Sequence, residues 1–87
     1  MALARQERWD DAAGAFDEGI ALSVEMGYPH GEARARYEKG VMQAARGSVA
    51  EAEADIGEAL GIFRRLGARL DEQRAEQALA RIRAEPR

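Results

Sequence analysis

Between Gly47 and Gly67 the chain sets Val49, Ala52, Ile56, Ala59, Leu60, Phe63 and Leu66 three or four residues apart. That repeat puts apolar side chains on one stripe of an α-helix. Ser48 precedes Glu51 by the spacing of a capping box, in which each side chain accepts a free backbone N–H of the first turn. Glu51, Glu53 and Asp55 lie near the start and Arg64 and Arg65 in the last turn, as the helix dipole favours. Gly67 is placed to end the helix in a left-handed conformation. The same reading predicts helices over 9–26, 30–46 and 70–83. It also predicts a stub over 2–6, the last turns of a helix whose beginning is absent, and a frayed tail at 85–87. The stripe of 9–26 is Trp9, Ala13, Phe16, Ile20 and Val24, with Ala12, Leu22 and Met26 alongside.

The helix over 30–46 carries two faces. Arg36, Lys39, Gln43 and Arg46 form a charged stripe, while Tyr37, Val41, Ala44 and Ala45 form an apolar one beside Met42. Either the helix is rotated from its usual setting in a helical hairpin, or that stripe is solvated and the Tyr37 face covers something else.

A shift of 40 residues superposes the chain on itself. Ala12 falls on Ala52, Gly27 on Gly67, Glu32 on Glu72, Arg34 on Arg74 and Ala35 on Ala75. Phe16 meets Ile56, Ile20 meets Leu60, Leu22 meets Ile62 and Met26 meets Leu66. One helical hairpin is used about twice, and because neither copy can bury its apolar face alone, neighbours must stack.

In these residues the sequence resembles the tetratricopeptide repeat (TPR) family. Gly40, Gly47, Ala52, Ile56 and Ala59 carry the likeness in one copy, and Glu7 to Ala12 with Phe16 and Gly19 in the copy before it. The 40-residue period looks like the long-repeat variant of bacterial regulatory proteins, and IFRRLGARLDEQRAEQALA looks like a closing repeat. HEAT-type hairpins, with a similar period, are the alternative. The resemblance implies an all-α fold, antiparallel helical hairpins stacked as a short TPR-like α-solenoid, with residues 1–87 a single domain cut from a longer array. It also implies that the first helix of each hairpin, 30–46 and 70–83, lines a concave face. Arg34 with Tyr37 and Val41, and Arg74 with Arg81, would then be the partner-binding residues; the alternative is that Arg34 and Arg74 merely pair with Glu38 and Glu72.

Composition narrows the function. Alanine supplies 19 residues, which suits close helix packing more than a deep core, and there is no cysteine for a disulfide or thiol chemistry. A net charge of −3 with both signs interspersed argues against nucleic acid or membrane as a partner. No apolar run is long enough to span a membrane, and the N-terminus lacks a signal-peptide core, so the default compartment is the cytoplasm. His30, the single histidine, reads as a solvated turn residue rather than a ligand. Glu51, Asp55 and Glu58 read as a solvated acidic face rather than an acid–base pair. Gly57 and Gly61 read as points where a neighbouring helix comes close. Neither serine has a histidine partner in any catalytic signature.

The chain is therefore expected to be a non-enzymatic scaffold that needs no cofactor or metal. Its partner would be a protein or peptide segment, acidic with an apolar anchor. A small-ligand-sensing fragment of a larger signalling or transcription protein is the alternative. The 9–26 helix lacks an intrachain partner in this reading, which exposes Trp9, Phe16 and Ile20 and predicts self-association, as a two-fold dimer through these helices or the Tyr37–Val41 faces.

Overall fold

In a computed structural model the chain is all-helical. The backbone is described over residues 2–84 and the side chains from residue 8 onward; the predicted frayed tail lies outside these. Four helices run in order: α1 Ala2–Glu25, α2 Pro29–Ala45, α3 Val49–Leu66 and α4 Arg69–Ala84. The predicted stub and second helix are one: α1 passes through residues 7 and 8 without a break. Gln6, Glu7 and Arg8 are good helix formers and no glycine or proline separates the two stretches.

The connections are tight and alike. Gly27, Gly47 and Gly67 have φ of 66°, 88° and 70°. At each, the residue beyond the glycine donates its N–H to a carbonyl five residues back: Tyr28 to Ser23 at 2.8 Å, Ser48 to Gln43 at 2.8 Å and Ala68 to Phe63 at 3.0 Å. The glycine N–H bonds the carbonyl three back. This is a Schellman closure, and its left-handed residue explains why glycine stands at all three ends. Pro29 sits in the first turn of α2, where a missing N–H costs nothing. The capping box does not form: Ser48 is the N-cap of α3, but its side chain makes no cap hydrogen bond.

The core lies on α3. Ala52, Ile56, Ala59, Leu60, Ile62 and Phe63 are buried there, joined by Ala33 of α2 and by Ala75, Leu79 and Ile82 of α4. The predicted stripe is thus buried along its middle; Leu66, at the exposed C-terminal end, is 45% exposed. Ile62, outside that stripe, is buried as well. α3 packs against α2 on one side and α4 on the other, so it needs a wider apolar face than a single stripe.

Gly40 is where α2 and α3 come closest. A Cβ there would strike the Ile56 side chain and lie 3.2 Å from the Ala52 carbonyl oxygen and the Asp55 Cβ. Gly57 and Gly61 do not have the role expected of them, since a Cβ at either would meet nothing within 4 Å.

The charged stripe of α2 is a seam rather than a solvated face. Arg36 reaches Glu58 of α3 at 2.8 Å and Glu32 of its own helix at 2.9 Å. Lys39 reaches Asp17 of α1 at 2.7 Å, Arg46 reaches Asp10 at 3.7 Å, and Gln43 is buried. α2 touches the other three helices, so its long cations lay their stems in the crevices and keep their heads paired. Glu58 is exposed, as the sequence suggested, though paired with Arg36; Asp55 is the one of these acids that is not solvated. Asp55 is half-buried at this crossing. Burial pushes its carboxyl above the ordinary range; Glu58 and Asp17 add to the rise, while Lys39 and Arg36 oppose it.

Candidate functional site

With its charged stripe turned toward α1 and α3, α2 leaves the Tyr37 face uncovered. That face looks across α3 to α4, and between them runs an open-sided groove of about 250 Å³. One wall is Tyr37, Val41, Ala44 and Ala45 of α2; the other is Ala78, Arg81 and Ile82 of α4; Ile56 of α3 forms the floor. Tyr37 also borders a second hollow of about 50 Å³, with Arg34, Glu38, Phe63, Asp71 and Arg74. The two hollows share one face of the molecule, and Tyr37 is the residue between them.

All five residues expected on a concave surface therefore lie on this face. Tyr37, Val41 and Arg81 line the larger hollow, and Tyr37, Arg34 and Arg74 the smaller. Their electrostatics differ. Arg34 pairs with Glu38 one turn along at 3.7 Å. Arg74 and Arg81 make no ion pair among the described residues; Glu72, a natural candidate for Arg74, is taken by Arg64 at 3.5 Å. Arg81 thus stands in the apolar trough and Arg74 in the smaller hollow beside Glu38 and Asp71, each free of an ion pair among the described residues, and such forks match a carboxylate on two atoms at once.

His30 is not a solvated turn residue. It lies in the first turn of α2, half-buried, with Nε2 2.9 Å from Asp71 Oδ2 in the first turn of α4. Its ring meets Phe63 edge-on at 5.8 Å between centroids. This contact ties the leading ends of the two groove helices together beside the smaller hollow. Among the described residues no cluster of histidine and carboxylate side chains could hold a metal ion, and no helix is long and apolar enough to cross a membrane.

The residues expected to mediate self-association lie elsewhere. Trp9, Phe16 and Ile20 are half-buried, on the side of α1 that meets α2, the one helix that α1 touches among the described residues. Val24, expected on the same stripe, is exposed. The expectation that this helix lacks an intrachain partner is corrected, because α2 covers its Trp9–Ile20 face from one side.

Sequence reasoning missed the far wall. Ala78 and Ile82 follow Arg74 at four and eight residues and could have been placed beside it by helical spacing. The His30–Asp71 contact had no local signal, since it spans 41 residues.

No family model, curated protein or solved structure matches the chain.

Proposed function

We propose that the chain is a non-enzymatic interaction module of TPR-like stacked hairpins, whose α2–α4 groove holds a protein or peptide segment. The observation that supports this is an apolar trough lined by Arg81, next to a smaller hollow lined by Arg74, neither arginine being ion-paired among the described residues. The walls are Tyr, Val, Ala, Ile and Arg, which is the chemistry of contact rather than of proton transfer. Tyrosine gives contact area at low entropic cost, and the arginines select for acid. The matching ligand is an acidic segment with one apolar side chain seated between Tyr37 and Ala78, bound without cofactor or metal at micromolar strength. Small-molecule sensing is less well supported, because ligand sites usually enclose roughly 300–1,000 Å³ and this groove is smaller and open.

Selection of binders from a random peptide display library tests the reading. Acidic peptides with a central aliphatic or aromatic residue should be enriched, and Arg74→Glu with Arg81→Glu should abolish their binding at unchanged thermal stability. Enrichment of basic or purely apolar peptides, or binding that survives both changes, would contradict it.

A further inference from the structure

The outer side of α1 presents Asp11, Ala15, Glu18, Leu22 and Glu25, all exposed. Their spacing of four, three, four and three residues puts them on a single stripe, opposite the face that meets α2. Asp11, Glu18 and Glu25 make no ion pair among the described residues. Leu22 is 57% exposed, whereas Ile62, its counterpart in the 40-residue repeat, is 6% exposed. The difference follows from the packing: among the described residues α3 has a helix on each side and α1 has one neighbour. The stripe is thus acidic with an apolar anchor, the chemistry that the groove selects.

The match extends to register. On α4, Arg74 lies four residues before Ala78 and Arg81 three after it; on α1, Glu18 lies four before Leu22 and Glu25 three after it. In both helices the two charges stand seven residues, or ~10.5 Å, apart along one face, with a small or apolar residue between them. Within one molecule the stripe cannot reach the groove, because α1 lies on another side of α2 and points the stripe at solvent. We propose that the groove of one molecule is occupied by the outer face of α1 from a second copy, with Glu18 and Glu25 on Arg74 and Arg81 and Leu22 in the trough. This rests on the groove being a binding site, and names its partner. The contact is heterologous, head to tail, and not the two-fold pairing expected from the sequence. Such contacts build rings or open chains rather than closed dimers.

Two charge-reversed full-length chains test it by sedimentation velocity, with circular dichroism to verify that both fold. One carries Arg74→Glu and Arg81→Glu, the other Glu18→Arg and Glu25→Arg; all four positions are exposed. Wild type should associate with rising concentration, and added salt should weaken the association. Each variant alone should be weakened by at least about tenfold. An equimolar mixture should associate again, because each groove then meets an α1 of opposite charge. Leu22→Ser, which leaves every charge in place, should also weaken wild-type association. Undiminished association of the groove variant alone would overturn the proposal in favour of direct α1–α1 pairing. Failure of the mixture, or a monomeric wild type up to millimolar concentration, would overturn it too. In that last case the chain with Glu18→Arg and Glu25→Arg, whose groove is intact, separates the two ideas. If it binds the display-selected acidic peptides, the groove reading stands and only the second-copy partner fails; if it does not, both fail.

Discussion

Gly40 shows how much a single position can decide. Glycine inside a helix normally costs ~0.5–1 kcal/mol relative to alanine. At Gly40 that cost is outweighed, because a methyl group would overlap Ile56 and press on the Ala52 carbonyl. Gly40→Ala should lower stability by about 1–3 kcal/mol in urea unfolding, while Gly57→Ala, with open space around it, should raise stability by ~0.5–1 kcal/mol. Equal shifts for the two would show that the α2–α3 crossing lies elsewhere. Asp55 makes a pH-dependent case. Its carboxyl is raised above 3.8 chiefly by burial, so the folded chain binds this proton more tightly than the unfolded chain does. The stabilising contribution is complete below the unfolded value and is lost as pH rises through the folded one. Asp55→Asn should therefore stabilise the fold at neutral pH and make no difference in strong acid. Urea midpoints at both ends of the range decide it, and an equal gain at both would exclude the protonation account.

At the scale of helices, periodicity made the α3 stripe and the three glycine stops legible. Which way α2 faces was not legible. A row of Arg36, Lys39, Gln43 and Arg46 is compatible with water or with the crevices beside a central helix. Only the acids opposite, Asp17, Glu58 and Asp10, resolve it, and they stand on other helices. The break expected before residue 9 came from imposing a repeat boundary on a stretch that has no breaker. The small residues at Ala52 and Ala59 were readable as contact points, and both are fully buried. Ala59→Leu should overpack the α3 core and cost about 1–3 kcal/mol. Ala54→Leu on the exposed side of α3 should cost little. Matching melting shifts would mean that the buried face has been misassigned. His30→Ala removes the tie between the leading ends of α2 and α4. It should lower stability by ~1 kcal/mol and weaken peptide binding by more than that loss explains, because the groove walls are no longer held together.

Taken whole, the molecule is a slab with extents of 41 × 31 × 16 Å, thin enough that one layer of helices leaves faces open on both sides. The family resemblance pointed to the first helix of each hairpin, and within those helices the 40-residue repeat sets Arg34 and Arg74 in one phase while helical spacing adds Tyr37, Val41 and Arg81; the five line the groove or the smaller hollow beside it. Ala78 and Ile82 share the face of Arg74 by helical spacing, but that this face stands opposite Tyr37 across a floor at Ile56 depends on how α4 crosses α3, which no local pattern encodes. The central claim is that this groove, and no other surface, receives an acidic segment with an apolar anchor. Titrating the Glu18→Arg, Glu25→Arg chain with a selected acidic peptide, while following backbone amide shifts by NMR, tests it most directly. Shifts should concentrate at Tyr37, Val41, Ala78 and Arg81 and saturate at micromolar concentration. Shifts centred on α1 or on the Gln73–Gln77 side of α4, with the groove amides unmoved, would contradict the claim.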